Sequence, residues 1–414
     1  MGDLHCELCY KNLANLSIAL RQLHYDQHFA ETDKPAPSSS SPKRLKKPKF
    51  FKENDVFWYP TQHSSPPNNY TPGLIPVLRK ALLAAHSKGG LHKAALCFPQ
   101  AIHIQHELWD AGWGCGYRNF LIACACLMVH PFQPMYFPLI DAPIPPSVRG
   151  LQQWIEDAWE SGFDEEGKVQ LKKLVGTRKW IGTSDLYAAF SSRGIPAELV
   201  DFRDARDVQI VIDWIVNYFT PPESRSARNA FEELRGASPV ICTEKPPLIL
   251  QHSGHSRTVI GYTVTKAGET HLLTFDSGSC LSKEIRQAAL AAFRSSKPVS
   301  SSSKRKSDDE DDPPGKFKKQ RPTVDSDVEI VAGPSTSTKG VDDDIVFVGA
   351  TSPRKKTNKA TPPVEHRTIL KHFTLSPKKL EKNKSYQILY FPMTEPLSPS
   401  AMRQRKIVTS TRIC

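Results

Sequence analysis

The sequence predicts an α+β fold, a central helix packed on an antiparallel sheet, with a small N-terminal zinc finger and a disordered insertion. Three observations carry this reading. FLIACACLMV (120–129) is apolar on every side, the mark of a helix buried all round. PPLILQHSGHSRTVIGYTV (246–264) and THLLTFDSG (270–278) are rich in branched residues and bounded by Pro or Gly, the pattern of strands. Between these lie segments with helical apolar spacing, PGLIPVLRKALLAAHS (72–87) and RGLQQWIEDAWESG (149–162).

The chain reads in order as five parts. Residues 1–31 form a compact unit with paired cysteines and histidines, and 32–50 are a Pro/Ser/Lys linker that should not fold alone. Residues 51–295 look globular, with IPAELVDF (195–202) and SPVICTE (238–244) as further strands. Residues 296–365 lose the apolar pattern and carry dense blocks of both charges, which predicts disorder. Residues 366–414 regain a strand in SYQILYF and end in alternation. The charged block therefore interrupts a domain, which a surface loop tolerates because closure entropy grows only logarithmically with length.

Composition narrows the function classes. Apolar residues make up 39% of the 414, with 34 prolines, which fits a mixture of folded and unfolded regions. The formal net charge of +12 keeps an acidic partner in view. Nine cysteines, an odd number without framework spacing, point to a reducing compartment in which cysteines bind metal or catalyse. The start lacks a signal-peptide pattern, neither end carries a lipidation pattern, and no stretch has the length of a membrane span.

The first unit has a metal-site spacing. Cys6 and Cys9 are followed after fourteen residues by His24 and His28, a two-Cys, two-His zinc pattern. The two histidines are i and i+4 and share one helix face, with Leu20 and Leu23 available as a small core. So short a unit depends on metal for its folding free energy. Arg21 is the only strong cation on that helix, so a protein-binding finger is favoured over nucleic acid, which needs several cations on one face.

WDAGWGCGYRN (109–119) sets Cys115 between Gly114 and Gly116 at the mouth of the apolar helix. A thiol at a helix N-terminus has its pKa lowered, and the same free N–H groups can hold an oxyanion. The glycines leave room for another backbone or an extended peptide. Packing is the competing reading, and it suits Cys124 and Cys126 inside the run. A nucleophile also needs a base and an orienting group. QHSGHSRTVIGYTV, KAGE and THLLTFDSG read as one hairpin in which opposed residue numbers sum to about 532–534. His255 and Asp276 sum to 531, closer to register than His252 and Asp276 at 528. His255 is the better base, with Asp276 holding its tautomer. A core helix bearing Cys, followed by a sheet bearing His and then Asp, is a papain-like order.

WDAGWGCGYRNF, KWIGTSDLYAAFSSRGI with LVDF, LILQHSGHSRTVIGY and LLTFDSG resemble the Ufm1-specific-protease-like cysteine peptidases. Within them they look most like the ZUFSP-type deubiquitinases, which pair such a domain with zinc fingers. The resemblance covers 51–295 and resumes at 366–414. It implies Cys115 as nucleophile, His255 as general base and acid, Asp276 as orienting residue and Gln105 as an oxyanion-side residue. The related modifier proteases carry a close Asp-Pro-His, which is missing here; GHSRT with a later FDSG sides with the ubiquitin branch. The substrate tail is basic and ends in Gly-Gly, so a narrow acidic groove is expected. Gly114, Gly116 and Trp113 are candidates for its floor, and Asp110, Asp164, Trp180 and Asp185 for tail contacts.

Val328–Val331 and Ile345–Val348 are short branched-apolar runs with acidic flanks that suit strand addition to SUMO. KRK (304–306) with KFKKQR (316–321), and PKRLKKPK (42–49), suit a nuclear import receptor. The expectation is a nuclear and cytoplasmic thiol deubiquitinase that cuts lysine-63-linked polyubiquitin, with the finger and a helix within 51–100 holding a second ubiquitin. Zinc is structural and catalysis needs no cofactor. A protease for the ubiquitin-fold modifier and a non-catalytic adaptor are the competing classes; membrane binding is not expected and direct nucleic-acid binding is not favoured.

Overall fold

The computed structural model describes residues 55–203, 208–221, 238–296 and 364–413. Cys6, Cys9, His24 and His28, the basic clusters, and Val328–Val331 with Ile345–Val348 lie outside these residues. The chain divides into two units, 1–297 with 363–414, and 298–362. Every described residue belongs to the first, which is a mixed α+β unit built on one large sheet.

In chain order the elements begin with β1 (Tyr70–Thr71), α1 (Leu74–Ser87), β2 (Leu91–Leu96), β3 (His103–Ile104), α2 (Cys115–Leu127) and α3 (Tyr136–Asp141). Next come α4 (Val148–Glu160), α5 (Glu165–Leu171), α6 (Thr183–Ser192), β4 (Glu198–Phe202) and α7 (Gln209–Phe219). β5 (Val240–Cys242), β6 (Leu248–His252), β7 (His255–Thr265), β8 (Thr270–Phe275) and α8 (Lys283–Ser296) precede the second unit. After it come α9 (His366–Phe373), β9 (Thr374–Leu375), α10 (Pro377–Leu380), β10 (Tyr386–Tyr390), α11 (Pro399–Gln404) and β11 (Thr411–Ile413).

The main sheet runs β11-β4-β10-β6-β7-β2-β5, with β8 paired to β7 and β9 to β8, while β1 and β3 form a separate two-stranded ladder. β10, from the last part of the chain, lies antiparallel between β4 and β6, with Ile388 opposite both Val200 and Leu250. The segment 246–264 folds as two strands joined at Ser253-Gly254, so the single hairpin read from the sequence is a double one. Gly254 has φ of 81°, a conformation that a side chain disfavours. The β7–β8 register follows the expected sums: Thr263 faces His271 and Thr258 faces Phe275, with a bulge between Val259 and Gly261. At Gly261 a Cβ would stand 2.0 Å from the Ala95 carbonyl oxygen, so only glycine lets β2 and β7 approach there.

Alternating side chains separate two apolar cores, one on each face of the sheet. Leu199, Ile249 and Leu389 join α2, α4 and α6 in one cluster. Val200, Leu248, Leu250 and Ile388 join α1, α7 and α8 in the other. Helix α1 buries Leu74, Ile75, Leu78, Ala81 and Leu82 in this second core, so its apolar face is occupied by the protein itself. Every residue of α2 from Gly116 to Leu127 is buried, with Phe120 against Trp154 and Phe190 at ring separations of 5.3 and 5.0 Å. Among the described residues no helix is long and apolar enough to cross a membrane.

Leu389 is fully buried, and Leu389→Ala should cost about 2–5 kcal/mol in denaturant unfolding. A chain ending at residue 362 lacks the strand between β4 and β6 and should show no cooperative unfolding transition by circular dichroism.

Candidate active site

Cys115 is the first residue of α2, and no side chain caps that helix end. The first-turn N–H groups of a helix have no intrahelical acceptor, so they face the sulfur and the space beyond it. β7 brings His255 to the thiol, with which it is hydrogen-bonded. The loop after β8 brings Asp276, and His255 Nε2 donates to its carboxylate at 3.1 Å from both oxygens. With Nε2 engaged, Nδ1 is the ring nitrogen left for Cys115.

The charges of this row reinforce each other. Burial is the largest influence on the Cys115 thiol and pushes its pKa up, but hydrogen bonds from His255 and Ser256 outweigh it and the thiol ends below its ordinary value. The hydrogen bond to Asp276, helped by that to Cys115, raises His255 to about 9. Burial disfavours the Asp276 carboxylate, yet His255, Arg257 and the Gly278 N–H together hold it well below the usual range. Both shifts favour the thiolate–imidazolium pair, which can attack a carbonyl and then protonate the leaving group. The uncapped N–H groups of α2 can stabilise the oxyanion between the two steps.

His252, the rejected candidate for the base, and neighbours that the sequence reading did not single out hold this row in place. Arg257 Nε donates to Asp276 Oδ2 at 2.8 Å. Arg257 Nη1 also donates to His252 Nε2 at 3.2 Å, which leaves His252 Nδ1 to donate to the Ser253 carbonyl at 2.9 Å. His252 is thus a neutral support, its pKa lowered first by burial. His103 Nε2 donates to the Asp276 carbonyl oxygen at 3.0 Å, and burial drives its own pKa down to about 4. Asn119, four residues after Cys115 on the same face of α2, reaches across to β7. An amide in so apolar a helix was the one signal in the sequence that could have marked it.

A cleft of about 850 Å³ opens at Cys115 and His255. Asp164, Trp180 and Asp185 line it, together with Glu166 and Asp201. Trp180 is half exposed. Asp164 caps α5 by accepting the Gly167 N–H at 3.1 Å. Asp185 accepts the Gly182 N–H at 2.7 Å, and burial raises its pKa to about 7.

Asp110 and Trp113 do not reach the cleft, which corrects the reading of both as substrate contacts. Asp110 is fully buried and bound to Arg118 Nε at 2.6 Å, an ion pair that ties the approach loop to α2. Trp113 is buried between Trp109 and Tyr117, its Nε1 donating to the Trp109 carbonyl at 3.1 Å. Gln105 follows β3, and its amide donates to Cys280 Sγ at 3.0 Å; it is not among the residues that line the cleft. The two glycines flanking Cys115 make room for the chain itself. A Cβ on Gly114 would lie 2.4 Å from Asp110 Oδ2, and one on Gly116 2.7 Å from the Ile181 carbonyl oxygen. Among the described residues no cluster of three or more His, Cys, Asp or Glu could hold a metal ion.

Residues 90–310 match peptidase family C78. The chain belongs to that family. The zinc finger-containing ubiquitin peptidase 1 of Rattus norvegicus is 36% identical over 190 residues, 45% of this chain and 30% of that protein. The ubiquitin carboxyl-terminal hydrolase mug105 of Schizosaccharomyces pombe is 31% identical over 154 residues, 37% of this chain and 56% of that protein. The aligned region thus spans less than a third of the first relative and just over half of the second. A crystal structure of UfSP from C. elegans is similar at a TM-score of 0.31 and 15% identity, over 56% of this chain and 35% of that one.

The pKa directions set a pH profile for Cys115. Its lowered pKa keeps the thiolate populated below the ordinary value of 9.0, and His255 stays protonated until about 9. Iodoacetamide labelling of Cys115, read by peptide mass, should persist well into neutral pH. His255→Ala should move the labelling midpoint upward by about a pH unit or more. An unchanged midpoint would show that the imidazolium does not hold the thiolate.

Proposed function

We propose that this chain is a papain-like thiol deubiquitinase that hydrolyses the isopeptide bond after the C-terminal glycine of ubiquitin. The observation that carries the reading is Cys115, hydrogen-bonded to His255, opening onto a cleft lined by Asp164, Glu166 and Asp185. The carboxylates of Asp164, Glu166 and Asp201 line this cleft beside Arg203 and Arg412 and offer partners to a basic tail, and the names of the two relatives point to the same substrate class. A helix carrying Cys115, packed on a mixed, mainly antiparallel sheet that carries His255 and leads from β8 into Asp276, supports the papain-like arrangement.

Cys115 attacks the glycine carbonyl, and the new C–S bond forms as electrons move to the oxygen. His255 then gives its proton to the leaving lysine amine as the C–N bond breaks. A water activated by the now neutral His255 adds to the thioester and releases Cys115. Asp276 keeps the ring oriented through both steps. Polyubiquitin linked through lysine 63 is the proposed substrate.

A panel of all ubiquitin linkages tests the reading, together with probes ending in the ubiquitin or the ubiquitin-fold-modifier tail. Wild type should cut ubiquitin chains, lysine-63 chains fastest, and Cys115→Ala should cut none. Labelling by the modifier probe alone would move the enzyme to the other modifier, and equal cleavage by Cys115→Ala would end the peptidase reading. Cys6, Cys9, His24 and His28 are proposed as a structural zinc site, since two thiolates and two imidazoles suit that metal. Native mass spectra should show bound zinc that Cys6→Ser loses, and a metal-free wild-type chain would refute the site.

A further inference from the structure

Beneath the thiol runs a line of three buried polar side chains that the Cys–His–Asp row does not include. Asn119 is fully buried, Thr258 is 1% exposed and Ser256 is 3% exposed, so bulk water cannot satisfy them. Thr258 Oγ1 donates to Asn119 Oδ1 at 2.8 Å, and Asn119 Nδ2 donates to Ser256 Oγ at 2.9 Å. Each bond fixes the direction of the next. Because the Asn119 oxygen is used as an acceptor, its NH₂ is what faces Ser256. A hydroxyl has a single hydrogen, and Ser256 Oγ already accepts from the amide. Its hydrogen is therefore free to point toward Cys115, beside which Ser256 lines the same cleft and whose thiol pKa it helps to lower.

We propose that Ser256 is a catalytic hydrogen-bond donor to the Cys115 thiolate, aimed by Asn119 and Thr258 as positioning residues. The line crosses from β7 to α2 and back to β7, so it also locks the nucleophile's helix to the strand that carries His255. A donor held this way favours the charged sulfur over the neutral thiol, because hydrogen bonds to ionised groups are the stronger kind. The thiolate thus has three supports of different origin: the α2 end, the His255 imidazolium and the Ser256 hydroxyl. The third is independent of the protonation state of His255, so it keeps the thiolate populated even where the imidazolium has lost its proton. During acylation the sulfur gives up its charge and this bond weakens; when the thioester is resolved, it re-forms on the departing sulfur and assists its release.

The inference rests on Cys115 being the nucleophile, and its test reads the thiol directly rather than any substrate. The pH midpoint of iodoacetamide labelling at Cys115 should rise by about one unit in Ser256→Ala. Thr258→Val keeps the shape but removes the donor that orients Asn119, and should move the midpoint the same way by less. Thr258→Ser restores the hydroxyl and should return the midpoint to that of wild type. A purely packing role predicts lower thermal midpoints with the labelling midpoint unmoved, and that result in Ser256→Ala and Thr258→Val would overturn the proposal. Should Ser256→Ala fail to fold, Thr258→Val against Thr258→Ser decides it alone. Failure of every ubiquitin chain to be cut would sink the substrate reading while leaving a shifted labelling midpoint, and this inference, standing.

Discussion

The burial of α2 on all sides is the constraint from which the site follows. A helix with one apolar face can slide or rotate on its support at modest cost. One enclosed from Gly116 to Leu127 has no such freedom, because close-packed interiors tolerate little displacement. The N-terminal end of that helix is the only part that emerges, and Cys115 sits on it. The reactive sulfur is therefore located by the whole of one core rather than by local loop geometry. Asp110 and Arg118 extend the same control backward, fixing the approach loop to the helix with a buried charged pair. Such a pair is a poor source of net stability; here it sets the direction from which the chain enters α2.

Along the functional row the charges alternate: thiolate, imidazolium, carboxylate, guanidinium. The imidazolium and the carboxylate each lie between partners of opposite sign, and Arg257 closes the series by pairing with Asp276 at 2.8 Å. Arg257 opposes the charge on His255 while favouring that on Asp276. Its net effect is to hold His255 less basic than the carboxylate alone would make it. A general acid too basic would keep its proton when the leaving amine needs it.

Much of this was legible in the sequence because it is periodic or local. The apolar run after Cys115 marked the buried helix, and the spacing across Lys266–Glu269 placed Thr258 opposite Phe275, which sets His255 and Asp276 near one another. The turn at Ser253-Gly254 was hidden because two strands of similar composition are separated by only two residues. Asp110 and Trp113 were misread for a different reason. Proximity to Cys115 in sequence says nothing about which way a loop residue faces, and both turn inward. Gly114 and Gly116 announced a close approach correctly but not its partner, which is the protein's own Asp110 and Ile181. Asn119 meets Ser256 and Thr258 across separations of 137 and 139 positions, and no pattern along a single chain encodes such a meeting.

The place of β10 has a consequence for how the protein comes into being. On a ribosome, β4 and β6 emerge long before residues 386–390, yet the finished sheet has β10 between them. Until that strand arrives, each presents an unpaired edge in a half-built sheet, a surface prone to wrong pairings. β6 leads directly through its turn into His255, so the turn that carries the histidine hangs on a strand whose far edge stays unpaired until residues 386–390 have been made.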